Sequence, residues 1–274
     1  MKQAKKFILN KYVLTLLGCL LFFLIWIIIS ASVNETTLIF PDPISTFKEA
    51  GNILSRQYVY NCLLWTMIRM IIGFGASFIL AMIFGLLAGH FAHLKTLFNP
   101  IIVALKSIPT AALVFLFLVI LGAKYAPIFV VILISFPILY ESISAGIANV
   151  PQEVLDAATV DGGKNIGTLF KIRLPLSIPY ILVGVASSFA LSFKIEIMAE
   201  IITGDTSYGL GSAISFAQKN DPSNMVPIFA YSLITIVFIL IVTIIEDIVY
   251  QSHYSEGKDH RACRTVGFWK IHTR

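Results

Sequence analysis

The chain has 274 residues, of which 57% are hydrophobic and only 13% charged, and its mean hydropathy is +0.86. A soluble domain carries about 25% charged residues, so that class is excluded; the low counts of Gly (17), Pro (11) and Cys (3) exclude collagen-like, disordered and disulfide-stapled chains as well. A polytopic membrane protein remains, and its formal charge of +5 is read as a topology signal, with no nucleic-acid partner expected.

Crossing the hydrocarbon takes about twenty apolar residues, and six runs qualify: 13–32, 67–89, 99–121, 126–147, 179–202 and 226–249. None alternates as a barrel strand would, so the expected fold is all-α, six transmembrane helices over residues 13–250. Residues 1–12 and 251–274 form polar ends. The first run follows Lys2, Lys5, Lys6 and Lys11. Its length exceeds the apolar core of a cleaved signal, so it is expected to stay as the first helix. With the N-terminus inside, the inner segments carry 13 lysines and arginines and the outer ones four. That asymmetry places both termini in the cytoplasm.

Between the first two spans, Phe40-Pro41-Asp42-Pro43 reads as a rigid extended stretch, followed by a polar helix from about Ser45. Arg69, near the outer end of the second span, is expected to snorkel to the interface. Gly85 and Gly89 stand four apart and permit close helix packing. Pro109 and Pro137 are expected to kink the third and fourth spans, and residues 122–125 form a tight turn. Lys106 and Glu141 each lie about seven residues, or roughly 10 Å, from the inner edge of adjacent spans. Equal depth makes them a candidate ion pair.

The loop at 148–178 is the most patterned part of the chain. Pro151 suits a first helical turn. Glu153, Asp156 and Asp161 share a short amphipathic helix with Val154, Leu155, Ala157, Ala158 and Val160, and Gly162-Gly163 breaks it. A second stretch runs from Lys164 to Arg173, Leu174-Pro175 stops it, and Pro179 opens the fifth span. The expected product is a helix–turn–helix hairpin on the cytoplasmic face. On physical grounds alone it is either an amphipathic loop resting at the interface or a knob that docks a soluble partner.

The fifth span holds Lys194, Glu196 and Glu200. The two glutamates, four apart, share a face, and Lys194 lies about 200° round from Glu196. Two readings stay open: Lys194 faces the solute pathway while the glutamates anchor neighbouring helices, or all three only pair within the bundle. There is no phosphate-binding G-x-x-x-x-G-K-[ST], no H-E-x-x-H and no G-x-S-x-G. No catalytic residue, metal site or cofactor is expected. Cys19, Cys62 and Cys263 have no metal-like spacing.

Asp156-Ala157-Ala158, three residues, Gly162, nine residues, then Ile172-x-Leu174-Pro175 resembles the E-A-A-x3-G-x9-I-x-L-P loop of bacterial ABC importer permeases, with Asp in place of the first Glu. Phe40-Pro41-Asp42-Pro43, Ala199-Glu200 and Tyr208-Gly209-Leu210 are similar to the nitrate/sulfonate/taurine branch of that family. The resemblance implies a homodimeric permease in the bacterial cell membrane. Its loop would couple to cytosolic ATPase subunits, which bind the ATP, and an extracytoplasmic binding protein would deliver a small solute. A carrier of a heterocyclic vitamin precursor is the alternative within the family; a secondary transporter or channel is the alternative outside it. Segments 33–66 and 203–225 are the expected docking surface for the binding protein.

Overall fold

The computed structural model describes residues 2–33, 40–151, 153–156, 166–204 and 208–256. Among them there is no strand. The helices are α1 (Lys2–Ser32), α2 (Pro43–Leu54), α3 (Gln57–His90), α4 (Ala92–Ser107), α5 (Thr110–Leu121), α6 (Ala126–Ala148), α7 (Leu174–Thr203), α8 (Leu210–Asn220) and α9 (Val226–Glu256). Five segments are long and apolar enough to cross a membrane, and a sixth crossing exists if the bent pair α4–α5 makes one span.

The expected elements recur with instructive shifts. The helix after the Pro-Asp-Pro stretch starts at Pro43, because Asp42 caps it: its side chain accepts from the Ser45 N–H at 3.0 Å, and Pro43 takes the first turn, where its missing N–H costs nothing. Pro43, Thr46, Ala50 and Ile53 form its buried face. The second span begins ten residues earlier than expected, at Gln57. Gln57, Tyr58, Tyr60 and Asn61 lower the hydropathy there, yet none of them stops a helix.

The largest departure is in the third span. Instead of one kinked helix there are two, bent by 92° across Ser107–Thr110, since Pro109 cannot donate to the carbonyl a turn back and forces Ile108 out of helical conformation. α6, by contrast, runs unbroken through Pro137. Gly122, at φ 77°, closes α5 and opens the expected tight turn in a conformation that suits glycine.

At the start of the fifth span the expected stop at Leu174-Pro175 does not occur. A short helix at Ile166–Thr168 passes into a π-helical turn at Leu169–Arg173 and then directly into α7. The Leu174 N–H bonds to the Leu169 carbonyl, five residues back. The wider turn shifts the hydrogen-bond register just before Pro175, which falls in the first turn of the next helix, where a proline is tolerated. Pro179 likewise sits inside α7 instead of opening it.

The chain divides into two compact units, Met1–Ala76, Leu105–Ile134 and Ser192–Val237 in the first, Ser77–Ala104, Ser135–Leu191 and Phe238–Arg274 in the second. In the first, Leu113 and Val114 of α5, Val130 and Val131 of α6, and Ile195 and Ala199 of α7 form a buried core. The Trp26 indole N–H donates to the Pro41 carbonyl at 3.1 Å, and Phe229 packs edge-on against Phe40, tying α1 and α9 to the segment before α2. The rest of α1 presents exposed Leu, Ile and Phe, as a lipid-facing helix does.

In the second unit, Phe84 packs against Phe98 and Phe136, at ring separations of 5.4 and 6.1 Å. A Cβ on Gly85 would meet the Ile143 side chain at 3.0 Å, and one on Gly89 would meet Ile147 at 2.6 Å. The paired positions advance together, so α3 and α6 run parallel with their backbones in close approach, as the Gly85/Gly89 spacing anticipates. Gly184 abuts Ser142 and Gly146 abuts Tyr180; there the numbers run oppositely, so α6 and α7 are antiparallel. Two parallel crossings need a return path between them, and α4–α5 supply it.

Candidate functional site: a buried clasp and an exposed hairpin

Four residues of α3 lie at helical spacing along one stripe: Tyr58, Cys62, Thr66 and Arg69. All four meet the turn at residues 208–211. The Tyr58 and Tyr208 rings lie 5.7 Å apart, and the Gly209 N–H points to the Cys62 sulfur. The Leu210 N–H donates to the Thr66 hydroxyl oxygen at 2.9 Å, and one Arg69 nitrogen donates to the Tyr208 carbonyl.

Glu200 of α7 completes the arrangement. It is fully buried and accepts from the Arg69 Nη1 at 2.6 Å, from the Thr66 hydroxyl at 2.9 Å and from the Gly211 N–H at 2.9 Å. The carboxylate thereby caps the start of α8, whose own cap position is Gly209 and offers no side chain. Negative charge there also complements the positive end of the helix dipole. The two glycines are required by space. A Cβ on Gly209 would lie 2.8 Å from the Glu200 carboxylate, and one on Gly211 would collide with the Ile197 carbonyl.

Arg69 therefore does not snorkel: its relative exposure is 8%, because a desolvated carboxylate and a main-chain carbonyl offer it better partners than the interface does. Glu200 thus joins α7 to α3 through Thr66 and Arg69. Glu196, one turn earlier on the same face, is equally buried, and neither of its carboxylate oxygens has a hydrogen-bond partner. Lys194 lies on the opposite, exposed side of α7. The clasp was missed in the sequence, although Tyr58, Cys62, Thr66 and Arg69, a stripe of hydrogen-bonding groups in an apolar helix, were the signal.

The described parts of the 148–178 loop are built differently. Leu155 and Leu169 are buried, whereas Glu153, Val154, Asp156, Phe170 and Lys171 are exposed. Ile172 and Leu174 are half-buried and Pro175 is exposed. Ala157, Ala158 and Gly162 lie outside the described residues. Lys106 is exposed in the last turn of α4, beside the break, and Glu141 is exposed on α6.

Residues 77–252 match the family model described as binding-protein-dependent transport system inner membrane component. A probable ABC transporter permease protein of Brucella melitensis biotype 1 is 29% identical over 194 residues, 70% of this chain and 77% of that protein. The bicarbonate transport system permease protein CmpB of Synechococcus elongatus is 31% identical over 207 residues, 71% and 73% of the two chains. Among solved structures, an inward-facing MetNI methionine ABC transporter shares the fold, with TM-score 0.55, 15% identity and coverage of 72% of this chain and 94% of that one.

Proposed function

This chain belongs to the inner-membrane components of binding-protein-dependent transport systems and is the permease subunit of an ABC importer; from that premise we propose that it works as a symmetric pair moving a small oxyanion, coupled to its ATPase through the 148–178 hairpin. ATP is hydrolysed on a separate subunit, and a binding protein supplies the solute. The observation that carries the coupling assignment is the hairpin's two-sidedness. Leu155 and Leu169 root it, while Glu153, Val154, Asp156, Phe170 and Lys171 are presented outward. That outward face mixes charge with two apolar side chains, the composition of a surface that docks a protein partner.

With six crossings both termini share one side, and the 13-to-4 basic bias supports the cytoplasm for that side. The hairpin then faces the ATPase, and segments 33–66 and 203–225 face the binding protein. Lys194 supports the anionic solute. A lysine presented to hydrocarbon at mid-membrane costs about 2.5–3.5 kcal/mol, whereas one lining a watery pathway between two copies retains its hydration and attracts an anion. The bicarbonate permease among its relatives fits that solute class.

The test is Gly162→Trp, which puts a bulky side chain at the Gly162-Gly163 turn expected from the sequence, outside every expected span. The expected result is loss of ATPase co-purification from a permease that still inserts at wild-type level; full ATPase association would overturn the assignment.

A further inference from the structure

Glu196 and Glu200 share one buried face of α7, and among the described residues Arg69 is the one buried cation beside them. Glu200 is saturated by Arg69, Thr66 and Gly211. Glu196 lacks a hydrogen bond at either oxygen, although its relative exposure is 0%. The charges that act on it are Glu200 and Arg69. A buried carboxylate left without partners demands an explanation, and within a membrane such a group marks function more often than packing.

We propose that Glu196 is a positioning residue for transport, a second station to which the Arg69 guanidinium moves from Glu200 when the 208–211 turn is released. Four residues on a helix are about 6 Å along the axis and 40° round, a distance that a long arginine side chain spans by changing rotamers. Interfaces that repack by one helical turn are a recurrent form of two-state element. The consequence follows from the partners Arg69 holds now. It binds both Glu200 and the Tyr208 carbonyl, so leaving for Glu196 strips the turn of one hydrogen bond and the α8 cap of its counter-charge together. Glu196 offsets the arginine's side of that cost, while Glu200 keeps its hydrogen bond from Thr66. Without Glu196, the released state would contain an unpaired buried arginine.

Cys62 reports the turn's position, since it is fully buried and lies against the Gly209 N–H. The experiment uses the permease assembled with its ATPase and binding protein in nanodiscs, with Cys19 and Cys263 replaced by serine. Maleimide labelling of Cys62 is compared at rest and during turnover. In the otherwise wild-type complex, labelling accelerates during turnover. Glu196→Gln removes the second station: Cys62 stays protected throughout, and binding-protein-stimulated ATPase falls about tenfold, within the usual range of coupling effects, while ATPase without binding protein is retained. Glu200→Gln weakens the first station, so Cys62 labels about tenfold faster already at rest.

Opposite effects of one substitution at two sites a turn apart are not expected of residues that only pack. If Glu196→Gln transports and labels like wild type, the proposal is overturned, and likewise if Cys62 stays unreactive in the wild-type complex during turnover. Should Glu200→Gln fail to assemble, the Glu196→Gln arm decides alone.

Discussion

Among the described residues, two helices begin with a carboxylate over their first N–H groups, and they obtain it in different ways. α2 is capped by Asp42, three residues before the Ser45 N–H that it accepts. α8 begins at Gly209, which has no side chain to offer, and takes its cap from Glu200 on another helix, with Thr66 and Arg69 of a third holding the geometry. The electrostatic need is the same. A local cap only starts a helix. A borrowed one fixes where the helix lies, so α8 is positioned on α3 and α7 by side chains that bond its main chain, and its own sequence contributes the glycines that let them approach.

The comparison is broken most severely at Arg69. Arg69→Met leaves Glu200 buried with its counter-charge gone, a change that costs about 3–5 kcal/mol when one partner of a buried pair is removed. The expected outcome is a large drop in the midpoint of denaturant-induced unfolding of the purified permease. A drop no larger than that of an exposed substitution, about 0.5 kcal/mol, would mean that the pair does not hold α8.

The two caps also differ in how far the sequence reveals them. Asp42-Pro43-x-Ser45 is a start signal complete within four residues, and the α2 reading missed only by two positions. The motif of the 148–178 loop is likewise a spacing along the chain; of its positions Asp156, Ile172, Leu174 and Pro175 fall among the described residues. The spans at 126–147 and 226–249 were legible from hydropathy alone. Arg69 and Glu200 are 131 residues apart, and no local pattern joins them. Each was recognised as a charge in an apolar span, but the pairing depends on α3 and α7 packing together. The 92° break at Pro109 exceeds the expected kink because a proline specifies a missing hydrogen bond and not the angle that follows.

Glycine sharpens the contrast with a smaller effect of either sign. Gly211→Ala puts a methyl 2.6 Å from the Glu200 Cβ, an overpacking that costs about 1–3 kcal/mol. Gly51→Ala is the same substitution in the middle of the locally capped helix, with nothing within 4 Å of the new carbon. There the gain in helix propensity is about 0.5–1 kcal/mol. Unfolding midpoints should therefore move down for the first variant and up for the second. Equal shifts would show that Gly211 is tolerated for its flexibility and not required by the docking of α8.

The gentlest test lies at the local cap itself. Asp42→Ala removes the acceptor for the Ser45 N–H, and losses at such caps are about 1 kcal/mol. The pH dependence tests the charge separately. The Ser45 hydroxyl and N–H both donate to the Asp42 carboxylate and hold its pKa below the ordinary 3.8, so the folded chain releases this proton more readily than the unfolded one. For a depressed pKa the stabilisation is complete above the unfolded value and is lost as pH falls through the lower folded one. The gap in unfolding midpoint between wild type and Asp42→Ala should thus stay constant from neutral pH down to about pH 5 and narrow below 3.8. Taking the difference between the two proteins cancels the other carboxylates, which titrate alike in both. A gap that persists unchanged to pH 3 would mean that Asp42 caps α2 by geometry alone, without its charge, and the parallel with Glu200 would then extend only to the hydrogen bond.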